Sequence, residues 1–344
     1  MLLWRKRSVG MVFVKDITNA LDTITGGRII KGPSCYAGGS RFVVTKSSGI
    51  PGKAITELPG LVWGSPDRQV KKAAVLMTLT ESAIELAGAT GVDCIITHHP
   101  IAEAANTGGV LARDYLNLYN IALFELHEAF HGLHPGIAWL HGSKASRAEI
   151  AYGGVVGKIV WFGEALPEVD TLGDFIKRID NFMGVKEEDE FLKYEKQVRG
   201  CAEIQETTVA ARAKIYIGSP DSKMGKTVTF FPHTGFNVPD MEKAYNEYKP
   251  DTFVSCISRL LDDNEMIEKA RSLGVNLVAG NSHAMEIFEN GIPLAWAIKN
   301  ILPELEVRIF RERMTSIPLD AFGSSDLQEY GQKMASEHLS GKKK

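Results

Sequence analysis

The stretch Gly91-Val92-Asp93-Cys94-Ile95-Ile96-Thr97-His98-His99-Pro100-Ile101 decides how this chain folds. It opens on glycine, a common helix stop, and runs through Val92, Cys94, Ile95 and Ile96, apolar and largely β-branched as a buried strand requires. Pro100 lacks a backbone donor and restricts the residue before it, so the strand is expected to finish at about His99. Two imidazoles then stand at the carboxyl end of a buried strand, where open α/β sheets bind their ligands. Neighbouring strand residues point to opposite faces, but a strand that is ending can turn both rings into one crevice. A pair of solvated loop histidines would read the same in isolation, so the surrounding sequence has to decide.

Upstream, Val70 to Leu79 reads as a strand, and Thr80 as the N-cap of a helix to about Ala89 with Glu81 in its first turn. This strand–helix–strand unit implies a parallel sheet with a right-handed crossover. Further back, Val14 to Ile24 has helical spacing, Leu61 to Asp67 reads as a strand ending in a turn, and the Gly/Ser-rich region Gly26 to Gly52 has no assignable pattern. Downstream, a helix over Val110–Tyr119 leads to a strand over Ile121–Leu126, which runs straight into His127-Glu128-Ala129-Phe130-His131-Gly132-Leu133-His134-Pro135.

After Gly153-Gly154 the rhythm repeats. Strands are expected at Val155–Phe162, Lys214–Ile217 and Thr252–Ser255, and helices at Leu172–Met183, Met241–Tyr248 and Asn264–Leu273. The charge-rich Lys186–Lys196 reads as a solvated helix or loop. Asn276–Ala279 is a strand leading into Gly280-Asn281-Ser282-His283-Ala284-Met285-Glu286 and a helix through Ile301, and Leu305–Phe310 closes as a strand. The expected fold is α/β, with two αβ lobes and mixed, largely parallel sheets. Residues 12–150 with 272–325 form the first lobe and residues 151–271 the second.

Composition narrows the function classes. The chain has 344 residues, 44% hydrophobic and 24% charged, which is ordinary globular material. A net charge of −3 argues against nucleic-acid binding driven by bulk basicity. No apolar run approaches the roughly 18 residues of a membrane span. Met1 to Phe13 places its basic residues after the apolar start, the wrong order for a secretory signal, and Met11 offers an alternative start. Cys35, Cys94, Cys201 and Cys256 show no CxxC spacing and read as reduced thiols of a cytoplasmic protein.

Three polar clusters thus end buried strands: His98-His99, His127 to His131, and His283 to Glu286. Nitrogen and carboxylate ligands gathered from separate strand ends suit divalent metals. Imidazole takes Zn, Fe, Mn or Ni, and a carboxylate can bridge two ions. His283 and Glu286 are three apart at a helix start and would share a face. Six such ligands are too many for one tetrahedral ion and suit a two-metal site with open positions.

Trp63-Gly64-Ser65-Pro66-Asp67, Thr80-Glu81, Ile95 through Pro100, and Ala279-Gly280 through Glu286 follow in the order seen in the Nif-three-like family, also called the GTP cyclohydrolase 1 type 2 family. The chain resembles that family from about Val14 to Phe310. The resemblance implies a Nif-three-like fold with a dinuclear metal centre in a cleft between the lobes, built as a toroidal homohexamer. It puts metal ligands on His98 and His99, on an aspartate four residues past a histidine, and on a late His/Glu pair. Here His127 matches the histidine, but His131 stands in place of the aspartate. His283 and Glu286 are three apart instead of four.

The expected metal ligands are therefore His98, His99, His131, His283 and Glu286, holding two divalent ions. His127 is a further ligand or an orienting residue, and Glu128 is the nearest proton acceptor. The expected function is a metal-dependent hydrolase acting on a small, nucleotide-like substrate. No GxxxxGK[ST] loop or basic cluster marks a triphosphate site, so the substrate stays open. A non-enzymatic metal-binding scaffold is the alternative. A third reading takes His127-Glu128-Ala129-Phe130-His131 as a zincin pattern, although Gly132 and Pro135 leave no room for its long helix. Trp63, Phe130, Trp139 and Trp161 are expected near element ends or turns, and a family-like ring would bury some of them between copies.

Overall fold

The computed structural model describes residues 10–30, 43–47, 54–101, 111–127, 129–149, 159–256, 259–282 and 285–339. Cys94–Thr97 is the centre of a five-stranded sheet with strand order Glu306–Ile309, Lys72–Leu76, Cys94–Thr97, Ala122–Glu125, Gly60–Trp63. The first four strands run parallel, and Gly60–Trp63 joins the edge antiparallel. Side chains alternate across this sheet as strand geometry dictates. Ala73, Val75, Ile96 and Phe124 face Ile17, Leu21, Leu294 and Ile298 of the helices Val14–Thr25 and Ile292–Ile301. Ala74, Leu76, Ile95 and Leu123 face Ile84, Ala87 and Leu116 of the helices Glu81–Thr90 and Ala112–Leu118. Both faces are covered, which is why the strand sequences read as continuous apolar runs.

The local signals around the central strand act as expected. Thr80 Oγ1 accepts from Ala83 N–H at 3.2 Å and caps Glu81–Thr90. Gly91 ends that helix at φ 67°, a conformation costly for any residue with a Cβ. The strand itself stops at Thr97, short of the histidines. Its ladder nevertheless continues, because His98 N–H donates to Leu76 O at 3.0 Å and His99 N–H to Met77 O at 2.8 Å. Both rings are thereby delivered to the carboxyl edge of the sheet.

A second, six-stranded sheet has the order Lys214–Ile217, Asn276–Ala279, Thr252–Ser255, Lys226–Phe230, Ile159–Ala165, Ser143–Glu149. Only its Asn276–Ala279, Thr252–Ser255 and Lys226–Phe230 strands are mutually parallel, so this sheet is more antiparallel than the first. Helices Val238–Tyr248 and Glu265–Leu273 cover one face through Met241, Ala244, Ile267 and Ala270. Leu172–Met183 covers the other through Leu172, Phe175 and Ile179. The chain therefore has a mixed α/β architecture of two sheets, each layered between helices, with no closed barrel among the described residues. Lys186–Lys196 lies in a helix, Val185–Arg199. No described helix is long and apolar enough to cross a membrane.

The four aromatic residues differ in exposure. Phe130 and Trp161 are buried in the chain's own cores and have no surface to offer another copy. Trp139 is exposed and carries the Arg178 guanidinium 4.5 Å over its ring.

Candidate metal centre

The carboxyl edge of the five-stranded sheet gathers side chains from three parts of the chain. His98 and His99 follow the central strand. His127 and His131 follow Ala122–Glu125 in a single turn closed by His131 N–H donating to His127 O at 3.1 Å. That one turn puts both rings on one side, with centroids 4.3 Å apart. Glu286 arrives at the head of the π-helical turn Ile287–Gly291.

His98 is the fully buried floor of the site. Its Nδ1 donates to the Leu126 carbonyl at 2.9 Å, which leaves the lone pair on Nε2. That atom lies 3.2 Å from His131 Nε2 and 3.2 Å from Glu286 Oε1. Lone pairs and a carboxylate oxygen so placed repel one another unless a proton or a cation lies among them. Donors sharing one ion with bonds of about 2.0–2.2 Å are separated by roughly 3 Å. The ligand atoms of His98, His127 and His131 all lie within 4.8 Å of one another.

The other carboxylate oxygen serves His99. Glu286 Oε2 lies 2.8 Å from His99 Nε2, and His99 Nδ1 pairs with Thr78 Oγ1 at 2.8 Å. Asn290 Nδ2 donates to Glu286 Oε1 at 2.8 Å and fixes the carboxylate between the two histidines. Burial alone would push the Glu286 carboxyl up, but the hydrogen bonds and charges of His98 and His99 outweigh it and hold the group well below its ordinary range. Burial pushes His98 down, and burial together with the neighbouring His127 and His98 rings pushes His131 far down. Burial therefore favours neutral His98 and His131 rings beside one carboxylate, the protonation state that divalent metals need.

The structure thus brings together His98, His99, His127, His131 and Glu286. Glu128 and His283 lie outside the described residues. The zincin arrangement is not formed by the described part of its motif, since residues 129–134 are turn instead of a long helix.

Two carboxylates escaped the sequence reading. Glu57, buried at the end of the strand Ala54–Glu57, accepts from His127 Nδ1 at 3.0 Å, the support that metal-binding imidazoles use to fix their orientation. Glu125, also buried, accepts from Leu58 N–H at 2.8 Å and Ile101 N–H at 3.0 Å, pinning the two loops that flank the site. Burial pushes its carboxyl up, with the two backbone donors opposing. Glu125 had a visible signal, a lone acid in the apolar run Ala122-Leu123-Phe124-Glu125-Leu126.

Comparison with known proteins bears on the fold. Residues 54–202 match the family model Duf34/NIF3 (NGG1p interacting factor 3), a span holding His98, His99, His127, His131 and Glu57. The chain has a Nif-three-like fold. Among solved structures it is similar to reduced HcgD from Methanocaldococcus jannaschii, with 18% identity and a TM-score of 0.52 over 88% of this chain and 99% of that one. TTHA1606 from Thermus thermophilus matches at 13% identity and a TM-score of 0.50, over 90% and 100% of the two chains. Together with the family model, these two similarities establish the Nif-three-like fold. A Bacillus cereus protein related to NIF3 also matches, at 12% identity and a TM-score of 0.48, over 88% and 98%. No curated protein matches the sequence significantly.

Proposed function

We propose that this Nif-three-like chain is a dinuclear metal-dependent hydrolase acting on a small substrate. The observation that carries the reading is the division of the Glu286 carboxylate. Oε1 is shared with His98 and His131, at 3.2 and 3.9 Å, while Oε2 faces His99 at 2.8 Å. One carboxylate aimed at two separate imidazole groups is the arrangement a bridging ligand requires. His98, His131 and His127 would hold one ion and His99 the other, with His283 as the further ligand implied by the family pattern.

Divalent ions held there supply charge to polarise a substrate and acidify water. The chain's own residues do the rest. His98 and Glu286 form a dry floor, while the rings of His99, His127 and His131 are partly exposed and leave one side open. Glu57 holds His127 in one tautomer, and Glu128, next to His127, is the proton acceptor in this reading. His131 in place of an aspartate leaves the centre one negative charge poorer, which favours an anionic substrate.

A non-enzymatic metal scaffold is the second reading, favoured by the complete burial of His98. A screen of nucleotides, phosphoesters and cyclic amides separates the two. Turnover that needs added metal and disappears in His98→Ala/His99→Ala supports the hydrolase, and no metal-dependent turnover across the screen favours the scaffold. A homohexameric ring also belongs to this proposal. Light scattering should then report about six times the 37.7 kDa chain mass, and a stable monomer would remove the ring from the account.

A further inference from the structure

The second sheet carries a cluster of its own at the matching place. Cys256 directly follows the strand Thr252–Ser255, with its N–H still donating to Phe230 O at 2.9 Å. Gly280-Asn281 directly follows the parallel neighbour Asn276–Ala279. His141 caps the short helix Gly136–Leu140, and Glu289 comes from the same π-helical turn that begins at Glu286. His141, Cys256, Glu289 and Asn281 are all buried. Carboxyl ends of parallel strands are where α/β sheets place ligands, and π-turns concentrate at functional sites.

We propose that His141, Cys256 and Glu289 form a second, closed metal site that takes a single divalent ion of the zinc class. Cys256 Sγ lies 3.8 Å from both His141 ring nitrogens and 3.7 Å from Glu289 Oε1, and that oxygen lies 3.6 Å from His141 Nδ1, the nitrogen that faces Ile137 O. All three ligand atoms lie within 4.8 Å of one another. Zinc bonds of about 2.3 Å to sulfur and about 2.0–2.2 Å to nitrogen or oxygen put tetrahedral neighbours roughly 3.3–3.6 Å apart, close to the 3.7 and 3.8 Å between Cys256 Sγ and its two partners, and a turn of the His141 ring would bring Nε2 onto the same ion. Asn281 Oδ1, 3.8 Å from Cys256 Sγ, would be the fourth ligand.

Three further observations point to a ligand. His141 Nδ1 donates to Ile137 O at 2.7 Å, so the lone pair is on Nε2, the tautomer and support of a metal-binding histidine. A Cβ on Gly280 would fall 2.2 Å from that Nε2, so glycine keeps the space beside it open. Glu289 Oε2 and Asn281 Nδ2 are buried and find no hydrogen-bond partner among the described residues, an expensive arrangement for a site with nothing to bind.

Charge agrees with the geometry. Burial pushes His141 down to about 4 and Glu289 up to about 8, so neither side chain holds an isolated charge near neutrality. On loading, the Cys256 thiol and the Glu289 carboxyl give their protons to solvent, and the ion's two positive charges balance the thiolate and the carboxylate. A thiolate in the ligand set selects zinc over magnesium or calcium. With no exposed ligand, the site is structural: it ties the end of one helix, the end of one strand and the π-turn that also carries Glu286.

Cobalt(II) tests this directly, because the first centre contains no cysteine. Chelator-treated full-length protein titrated with Co²⁺ should develop a thiolate-to-cobalt charge-transfer band that saturates at a single equivalent and is displaced by Zn²⁺. The band should persist in His98→Ala/His99→Ala and in Cys94→Ser, and disappear in Cys256→Ser. Glu289→Gln, nearly isosteric, should weaken the titration about tenfold or more. Cobalt binding to the wild type without the band overturns the site, as does a band that survives Cys256→Ser. Should Cys256→Ser not fold, an unchanged Co²⁺ titration in Glu289→Gln overturns it equally. Loss of turnover or of metal at the histidine centre alone leaves this band in place, so the two proposals fail separately.

Discussion

Glu286 and His99, 187 positions apart in the chain, meet at 2.8 Å between Oε2 and Nε2. The contact joins the π-turn after the Asn276–Ala279 strand of the second sheet to the carboxyl edge of the first. A buried carboxylate held well below its ordinary range by two histidines is stable only while those partners stay in place. The same carboxylate, a ligand in the proposed metal centre, therefore also ties the π-turn to the first sheet.

Replacing that charge should cost metal before it costs structure. Glu286→Gln keeps the size and one acceptor oxygen but removes the negative charge. Metal affinity at the histidine centre should fall by about tenfold or more, read by competition with a chromophoric chelator. Affinity equal to the wild type would show that Glu286 is not a ligand.

Glu57 acts through another residue, so its effect should be graded. In Glu57→Gln the His127 ring loses its charged support, and metal affinity should drop about 10–100-fold while the far-ultraviolet dichroism stays unchanged. Rescue by Glu57→Asp, but not by Glu57→Ala, would separate support of His127 from simple packing.

The glycine beside His141 is a packing prediction. A Cβ at position 280 would lie 2.2 Å from Nε2 and 2.3 Å from Cδ2 of a ring with no exposed surface and no free direction to move. Gly280→Ala should therefore destabilise the chelator-treated protein by about 1–3 kcal/mol, measured by urea unfolding. A variant as stable as the wild type would mean that the ring can be displaced.

An acid limb of stability should come from the capping box of Leu172–Met183. Thr171 N–H and Oγ1 donate to Asp174 Oδ2 at 3.1 and 2.9 Å, and these bonds hold the Asp174 carboxyl below its usual 3.8. A depressed folded-state pKa means that the native chain binds fewer protons than the unfolded one. The contribution is thus present above about 3.8 and lost as the pH falls through the lower native value. Asp174→Asn should flatten stability against pH in that acid window and leave the slope near neutrality alone.

Much of this was legible in the sequence because local signals and long-range placement coincide at His98 and His99. A β-branched run, a helix stop before it and a proline after it leave little choice about where the rings emerge. Glu57 gave no such signal, since its strand lies beside a Gly/Ser-rich stretch and pairs only with Val44–Ser47. Ser143–Glu149 reads as Ser-Lys-Ala-Ser-Arg-Ala-Glu, with no β-branched residue to mark it as a strand. The cluster of His141, Cys256 and Glu289 has separations of 115 and 33 positions, so no spacing rule could join them. Only the parallel pairing of Thr252–Ser255 with Asn276–Ala279 brings their neighbourhoods together.

The most direct test of the central claim is the metal content of purified protein by elemental analysis. Wild-type protein prepared without chelator should carry a divalent transition metal, and His98→Ala/His99→Ala, folded by circular dichroism, should lose the share bound at the histidine centre. The loss should be the same whether or not Cys256 is also replaced. A folded double variant with wild-type metal content would contradict the account.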